Sequence, residues 1–204
     1  MAIKPILFNT EMVRAILDGR KDATRRIVKG FIPNDAVWGY TAFTPKGYIS
    51  CRGTFADGYG EKFFKLPCEP GNILYVRETW KKAPNGYYYY EDWQKNVIAD
   101  ITKWKPSIRM PKEAARIWLK VTDVKVERLQ NITEDGSKAE GAIDNRGFIH
   151  SPDNEYDRIH TAREHFIEIW NSTIKKSSLD RYGWDASPWV WVIEFERCEK
   201  PEVN

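Results

Sequence analysis

The chain has little cysteine, and its three cysteines lie far apart. They are Cys51, Cys68 and Cys198, an odd number with no CxxC pair. This spacing gives neither a disulfide framework nor a zinc knuckle, so we expect no bound metal. A reducing, cytoplasmic location is the expectation that follows.

Long apolar runs are also missing. The first residues, MAIKPILF, do not contain the apolar segment of a signal peptide. No stretch of the chain approaches the roughly 20 apolar residues that are needed to cross a bilayer. We therefore expect no membrane association.

Neither sign of charge dominates the sequence. The 32 lysines and arginines against 29 acidic residues leave a net charge of +3, well short of the balance in a dedicated nucleic-acid-binding protein. Nucleic-acid binding would therefore need a local basic patch. Aromatic residues are abundant, however. They make up 14% of the chain, and the nine tryptophans among them can fill a core or line a pocket.

Several familiar catalytic motifs are absent. The sequence contains no Walker loop, no Rossmann fingerprint and no nucleophile elbow, and we expect no cofactor. His160 and His165 are five residues apart in a predicted helix, where they would not share a face. A zinc site at these histidines is therefore not expected.

The hydrophobic patterns predict six to eight strands and three helices without a βαβ rhythm. We predict one α+β domain over residues 1–204, mainly β, built as a small mixed β-barrel with about three peripheral helices. Residues 31–65, rich in Gly, Tyr and Phe, predict an insertion with a hairpin of 37–43 and 48–52 and a loop at 53–60. Residues 142–157 predict a polar loop. A slip in the apolar phase near Thr122 and Asp123 predicts a β-bulge in a long strand.

A short basic segment follows the first predicted helix. Gly19 ends that helix, and the chain continues as RKDATRR to Arg26. If Lys21 to Ala23 form a turn, the amine of Lys21 can reach the hydroxyl of Thr24. Burial or neighbouring cations can then lower the lysine pKa, so that the amine acts as a base. The plainer alternative is a solvated turn with structural arginines, and the spacing alone does not exclude it.

Glu78 stands out on a strand predicted over 73–80. It shares a face with Leu74, Val76 and Trp80. A carboxylate on an apolar face is costly unless it is paired or protonated. Glu78 is therefore a candidate acid, a candidate partner of Lys21, or half of a structural ion pair.

The pattern Gly19-x-Lys21-x-x-Thr24-x-Arg26 resembles the signature of the ASCH domain, a relative of the PUA domain. Further segments resemble the ASCH-like proteins carried by phages and prophages, and together they cover most of the chain. They are PILFNT at 5–10, PGNILYVRETW at 70–80, PSIRMP at 106–111, YGWD at 182–185 and PWVWV at 188–192.

The resemblance implies a PUA-like β-barrel with a cleft beside the first helix. Some small ASCH proteins are amidohydrolases that remove the acetyl group from N4-acetylcytidine. Their lysine, threonine and strand glutamate are held to be catalytic, and these fall here on Lys21, Thr24 and Glu78. Other relatives are linked to RNA binding or RNA cleavage.

Our main hypothesis is therefore an amidohydrolase that acts on an acylated nucleoside or a similar small amide. Lys21 would deprotonate Thr24, Glu78 would protonate the leaving amine, and Arg26 or backbone N–H groups would stabilise the oxyanion. We expect the substrate to be bound by Arg20, Arg25, Arg26, Arg109, Trp80, Tyr88 and Trp104.

Two other hypotheses remain open. One is an RNA-binding module or ribonuclease that uses the same cleft and the basic residues Arg20, Lys21, Arg25, Arg26, Lys103, Lys105 and Arg109. The other is a phage accessory protein that binds another protein.

Overall fold

The computed structural model describes residues 1–93, 96–146 and 160–202. The predicted polar loop therefore lies outside the described residues from position 147 onwards. The strands are β1 (Ile3–Leu7), β2 (Ala23–Ile27), β3 (Val37–Gly39), β4 (Tyr48–Phe55), β5 (Gly58–Lys65), β6 (Ile73–Arg77), β7 (Trp80–Ala83), β8 (Gly86–Tyr89), β9 (Trp118–Arg128) and β10 (Trp189–Cys198). The helices are α1 (Thr10–Leu17), α2 (Tyr90–Trp93), α3 (Val97–Ile101), α4 (Glu134–Ala139), α5 (Ala162–Thr173) and α6 (Leu179–Tyr182).

A five-stranded sheet in the order β1-β6-β9-β10-β2 forms the centre of the molecule. Strands β1 and β6 are parallel, and the other neighbours are antiparallel. Within the described residues β1 and β2 remain unpaired edges, linked by a side-chain bond of 2.8 Å from Arg26 Nη2 to the Leu7 carbonyl. The mixed, mainly β class is confirmed. The sheet is not closed into a barrel, because no backbone ladder joins its edges.

Helix α1 covers one face of this sheet. Asn9 caps it by accepting a hydrogen bond from the Met12 N–H, and Gly19 follows it in the left-handed region at φ +74°. The apolar side chains of Val13 and Ile16 are fully buried and belong to the same core cluster as Leu119 and Val121 of β9. The predicted helix is therefore confirmed, and its end places Lys21 just before β2.

The predicted β-bulge is present in β9. Glu194 pairs with Asp123 and Phe195 pairs with Val121, so Thr122 is the extra residue. An extra residue shifts the alternation of side chains between the two faces. The bulge therefore keeps Val121 and Val124 both buried on either side of it.

The insertion forms a separate three-stranded sheet in the order β3-β4-β5. Strands β3 and β4 pair as the predicted hairpin, but the predicted loop at 53–60 is wrong. That segment contains the tight turn of a second hairpin, β4–β5, and Gly58, the first residue of β5, adopts φ +109° at the turn. Trp38 docks the insertion on the core, with ring centroids 5.7 Å from Trp189 and 6.2 Å from Trp191.

The strand predicted over 73–80 is broken. Strand β6 ends at Arg77, and β7 begins a hairpin with β8 at Trp80. The backbone of Trp80 exchanges hydrogen bonds with Lys105 instead of continuing the ladder of β6. Glu78 therefore lies in a connection between two sheets. Across the described ranges, no helix is long and apolar enough to span a membrane.

Candidate functional site

Lys21 is a buried lysine in the short link between α1 and β2. Only 4% of the residue is exposed. Its Nζ donates hydrogen bonds to the Ala23 carbonyl at 2.7 Å, the Glu140 carbonyl at 2.8 Å and Glu140 Oε2 at 2.7 Å. The link turns as the sequence hypothesis required, and the side chain is not solvated.

Glu140 connects Lys21 to a longer chain of buried charges. Its other oxygen, Oε1, lies 3.3 Å from Arg25 Nη1. Arg25 in turn binds Glu127 on β9 through Nε at 2.9 Å and Nη2 at 2.8 Å. Two cations and two carboxylates thus alternate from the link before β2 to β9, so each buried charge has an opposite neighbour.

The environment of Lys21 lowers the pKa of its amine below the usual 10.5. Burial is the largest cause, and the guanidinium groups of Arg26 and Arg25 act in the same direction. The carboxylate of Glu140 opposes this shift by stabilising the ammonium form. The amine is thus easier to deprotonate than that of a solvated lysine.

Lys21 and Thr24 line the same cavity of about 120 Å³. The cavity is bounded by the end of β1, the start of α1, β2, Glu140 and α5. Its lining residues are Leu7, Phe8, Asn9, Met12, Lys21, Thr24, Arg25, Arg26, Glu140, Phe166, Ile169, Trp170 and Thr173. Lysine, threonine, glutamate and arginine residues therefore line one small space.

Arg26 stands at the exposed rim of this cavity. Its guanidinium carbon is 5.3 Å from the ring centroid of Phe8, and Lys21 Nζ is also 5.3 Å from that centroid. A second cavity of about 440 Å³ lies beside Ala23, with Arg25 among the lining residues of both. Residues Lys21 to Arg26 are thus the segment around which the charged groups gather.

Glu78 has a different set of partners. Arg116 binds it with two hydrogen bonds of 2.9 Å and also binds both oxygens of Asp92. Burial raises the pKa of Glu78, and Arg116 opposes the shift. Glu78 does not belong to the described residues that line the Lys21 cavity. The carboxylate in contact with Lys21 is Glu140, and the contact of Glu78 is the ion pair with Arg116.

The four arginines expected to bind the substrate do not form one site. Arg20 lies beside the Lys21 cavity but donates to the Gly141 carbonyl at 3.0 Å and pairs with Asp18. Arg109 is exposed in a short 3₁₀ turn, Ser107–Arg109. Only Arg25 and Arg26 of the four arginines line the cavity in the described structure.

The three aromatic candidates do not line that cavity. Trp80 is 4% exposed and packs in a core cluster with Trp118 and Met110. Tyr88 and Trp104 line another pocket together. The alternation along β7 and β8 separates them, because Trp80 faces the core whereas Tyr88 lies on the opposite face of the hairpin.

Sequence reasoning missed Glu140. It lies 119 residues after Lys21 and caps the C-terminal end of α4, where it looks like an ordinary charged residue. The one local signal in the sequence was the glycine that follows Glu140. Gly141 adopts φ +91° directly after the C-cap Glu140 and so marks the end of the helix. A backbone bridge between Lys21 and Glu140 completes the contact.

The two histidines of the α5 region do meet. Their ring centroids are 4.8 Å apart, because His160 precedes the N-cap Thr161 and does not continue the helix. The expectation that they point apart was wrong. Within the described ranges, however, no group of three or more His, Cys, Asp or Glu side chains could hold a metal ion.

Comparison with known proteins adds no relative to this description. No protein-family model, curated protein or solved structure gives a significant match to the chain.

Proposed function

We propose that the chain is an ASCH-like amidohydrolase whose active site is the cavity at Lys21 and Thr24. The substrate class is a small acyl amide of the N4-acetylcytidine type. The observation that carries the proposal is a buried lysine of lowered pKa in one cavity with a threonine hydroxyl. Burying a lysine is costly, and a solvated structural turn would not bury one.

The proposed chemistry starts with the neutral amine of Lys21. It removes a proton from Thr24 Oγ1, and that oxygen attacks the acyl carbonyl of the substrate. Arg26, at the rim, stabilises the oxyanion. Lys21 then returns the proton to the leaving nitrogen as the C–N bond breaks. Water hydrolyses the acyl-threonine in a second step, which releases the carboxylic acid and restores Thr24.

Two glutamates are candidates for the carboxylate that assists Lys21. The resemblance implies Glu78, whereas the contacts favour Glu140, which binds Lys21 Nζ directly at 2.7 Å. We propose that Glu140 orients Lys21 and stabilises its ammonium form after proton transfer. In this proposal Glu78 acts through Arg116 as a structural group.

We also propose that the central sheet with α1 is the PUA-like part of the fold. The hairpins β3–β5 and β7–β8 would then be additions to it. The size of the cavity supports a small substrate, since about 120 Å³ holds about four water molecules. This space suits an acyl group and the adjoining edge of a base, and the remainder of a nucleoside would lie outside it.

The test is turnover of N4-acetylcytidine and a panel of other acylated nucleosides by the wild type. Lys21→Met and Thr24→Val should each lower kcat/KM by about 10²-fold or more, as loss of a base or a nucleophile does. Thr173→Val is the matched control, because Thr173 also lines the cavity but its hydroxyl donates to the Trp170 carbonyl. A wild type that is inactive on the whole panel would exclude the proposal.

The pH profile of turnover tests the base directly. Because the neutral form of Lys21 reacts, kcat/KM should rise with pH and level off at an inflection below 10.5. Glu140→Gln should move this inflection to lower pH, because the carboxylate raises the lysine pKa. Glu78→Gln is the comparison variant and should leave the inflection in place. A shifted inflection in Glu78→Gln and an unchanged one in Glu140→Gln would show that Glu78 is the carboxylate that acts on Lys21.

The RNA-binding hypothesis loses part of its predicted patch. Lys21 and Arg25 are buried in ion pairs with Glu140 and Glu127, so neither is free for a phosphate group. The exposed Lys103, Lys105 and Arg109 belong to another segment of the surface. Binding of another protein stays a prediction.

A further inference from the structure

A further pocket, of about 200 Å³, lies beside the β7–β8 hairpin. Its walls are mainly aromatic, and its lining residues are Lys81, Ala83, Tyr88, Trp93, Thr102 and Trp104. None of them lines the Lys21 cavity. The pocket is therefore a separate feature that the proposed hydrolysis does not use.

The aromatic walls are held in place by the surrounding structure. Trp104 Nε1 donates to the Ala99 carbonyl at 3.0 Å, and the Trp104 ring meets Tyr90 edge-on at 5.5 Å. Lys81 and Tyr88 are directly paired across the hairpin, so their side chains share one face. The ring centroids of Tyr88 and Trp93 are 6.2 Å apart. The rings are thus held in place around an open pocket.

The charges around the pocket restrict the kind of ligand. Lys81 is half-buried in the wall, and no ion pair is found for it in the described part of the chain. No carboxylate appears in the described lining, so a cationic ligand would meet only a like charge. A planar aromatic ligand that carries an anion fits both the rings and the lysine.

We propose that this pocket stacks the base of a nucleotide, with Lys81 beside the phosphate. The nucleotide can be free or part of a single strand, since both present the same base and anion. Aromatic stacking with a neighbouring cation is the general mode of binding for unpaired nucleotides. The proposal does not rest on the hydrolase activity, because it concerns other residues and another readout.

The test is a binding titration with fluorescein-labelled octacytidylate, followed by fluorescence polarisation at several salt concentrations. Trp104→Ala and Tyr88→Ala should each weaken binding by about five- to 150-fold, the effect of losing one stacking partner. Lys81→Gln should weaken binding and reduce the slope of log K against log salt by about 0.7. Tyr59→Ala and Lys46→Gln are matched controls, because both residues are exposed on the β3–β5 insertion.

Competition by cytidine monophosphate separates the two sources of the ligand. Displacement of the label at similar concentrations of nucleotide would indicate a free nucleotide, and displacement only by oligonucleotides would indicate a strand. Circular dichroism checks the fold of each variant, and Lys81→Gln carries the test if the aromatic variants unfold. Absent binding by the wild type, or equal binding by Lys81→Gln and the wild type, would overturn the proposal.

Discussion

For the single residue Lys21, burial affects both its contribution to stability and its proposed reactivity. Its ammonium group has three acceptors and almost no contact with solvent. The arrangement stabilises the fold only while Glu140 compensates the buried charge. The same burial lowers the pKa of the amine. Stability and the proposed reactivity thus depend on one ion pair.

We predict that Lys21→Met lowers the free energy of unfolding by about 2–4 kcal/mol, because it leaves the buried Glu140 with Arg25 as its remaining charged partner. Urea unfolding measures this change. Lys125→Met is the matched control, since Lys125 pairs with Glu194 at the surface and should cost less than about 1 kcal/mol. Equal effects of the two substitutions would contradict the buried ion pair.

His165 makes a second prediction at this scale. Its Nδ1 accepts a hydrogen bond of 2.9 Å from the Ile143 N–H, so this nitrogen must be unprotonated. Burial, and then the neighbouring His160, lower the pKa of His165 below 6.5, while Glu11 and Glu168 oppose the shift. The unfolded chain therefore binds the proton more readily than the folded protein.

The stabilising contribution of His165 is accordingly complete above pH 6.5 and decreases as the pH falls towards the folded pKa. Urea unfolding between pH 5 and 8 should therefore show a free energy of unfolding that decreases as the pH falls. His165→Asn supplies an uncharged acceptor and should reduce this dependence on pH. A slope that is unchanged in this variant would show that other groups cause the pH dependence.

At the scale of the element, the end of α4 positions Glu140. Gly141 adopts φ +91°, and a Cβ added there would lie 2.7 Å from the Cβ of Ala15 on α1. The close approach of α4 and α1 therefore requires glycine. Any displacement of this helix end would carry Glu140 away from Lys21.

We predict that Gly141→Ala destabilises the protein by more than Gly19→Ala does. Gly19 also has a positive φ, of +74°, but no atom lies within 4 Å of an added Cβ. Gly19→Ala should therefore cost about 1 kcal/mol for the backbone alone. Gly141→Ala adds a steric clash and should cost about 2–4 kcal/mol in urea unfolding. A similar cost at both positions would show that the contact with Ala15 is not tight.

In the whole molecule, an aromatic contact region joins the insertion to the central sheet, and Ile49 of the insertion is buried in the same core cluster as Trp191. Trp38 lies 5.1 Å from Phe64 of its own sheet and contacts Trp189 and Trp191 of β10. These rings join the three-stranded sheet to the central one. The insertion is therefore part of the core packing on one side and exposed on the other.

We predict that Trp38→Ala loosens the insertion without unfolding the central sheet. Loss of a large aromatic contact should cost about 3 kcal/mol and should speed proteolytic cleavage between residues 31 and 65. Phe43→Ala is the control, because Phe43 is 84% exposed and should change neither quantity. Cooperative unfolding of the whole chain by Trp38→Ala would mean that the insertion is essential to the core.

Several local features and the segment at the centre of the proposed site were visible in the sequence. Periodicity predicted α1, α5 and the long strands, and the slipped phase near Thr122 predicted the bulge, because these signals depend on neighbouring residues. The turn at Lys21 was one of two alternatives in the sequence, and the spacing of the residues did not decide between a buried lysine and a solvated one.

The partners of the charged and aromatic side chains became visible only in the folded protein. The sequence places Glu78 on an apolar face but contains no record of Arg116 as its partner, and Glu140 reaches Lys21 across 119 residues. It likewise does not indicate that Trp80 faces the core while Tyr88 and Trp104 share a pocket. An ion pair or a pocket depends on how sheets and helices pack, because its members come from segments that are far apart in the sequence.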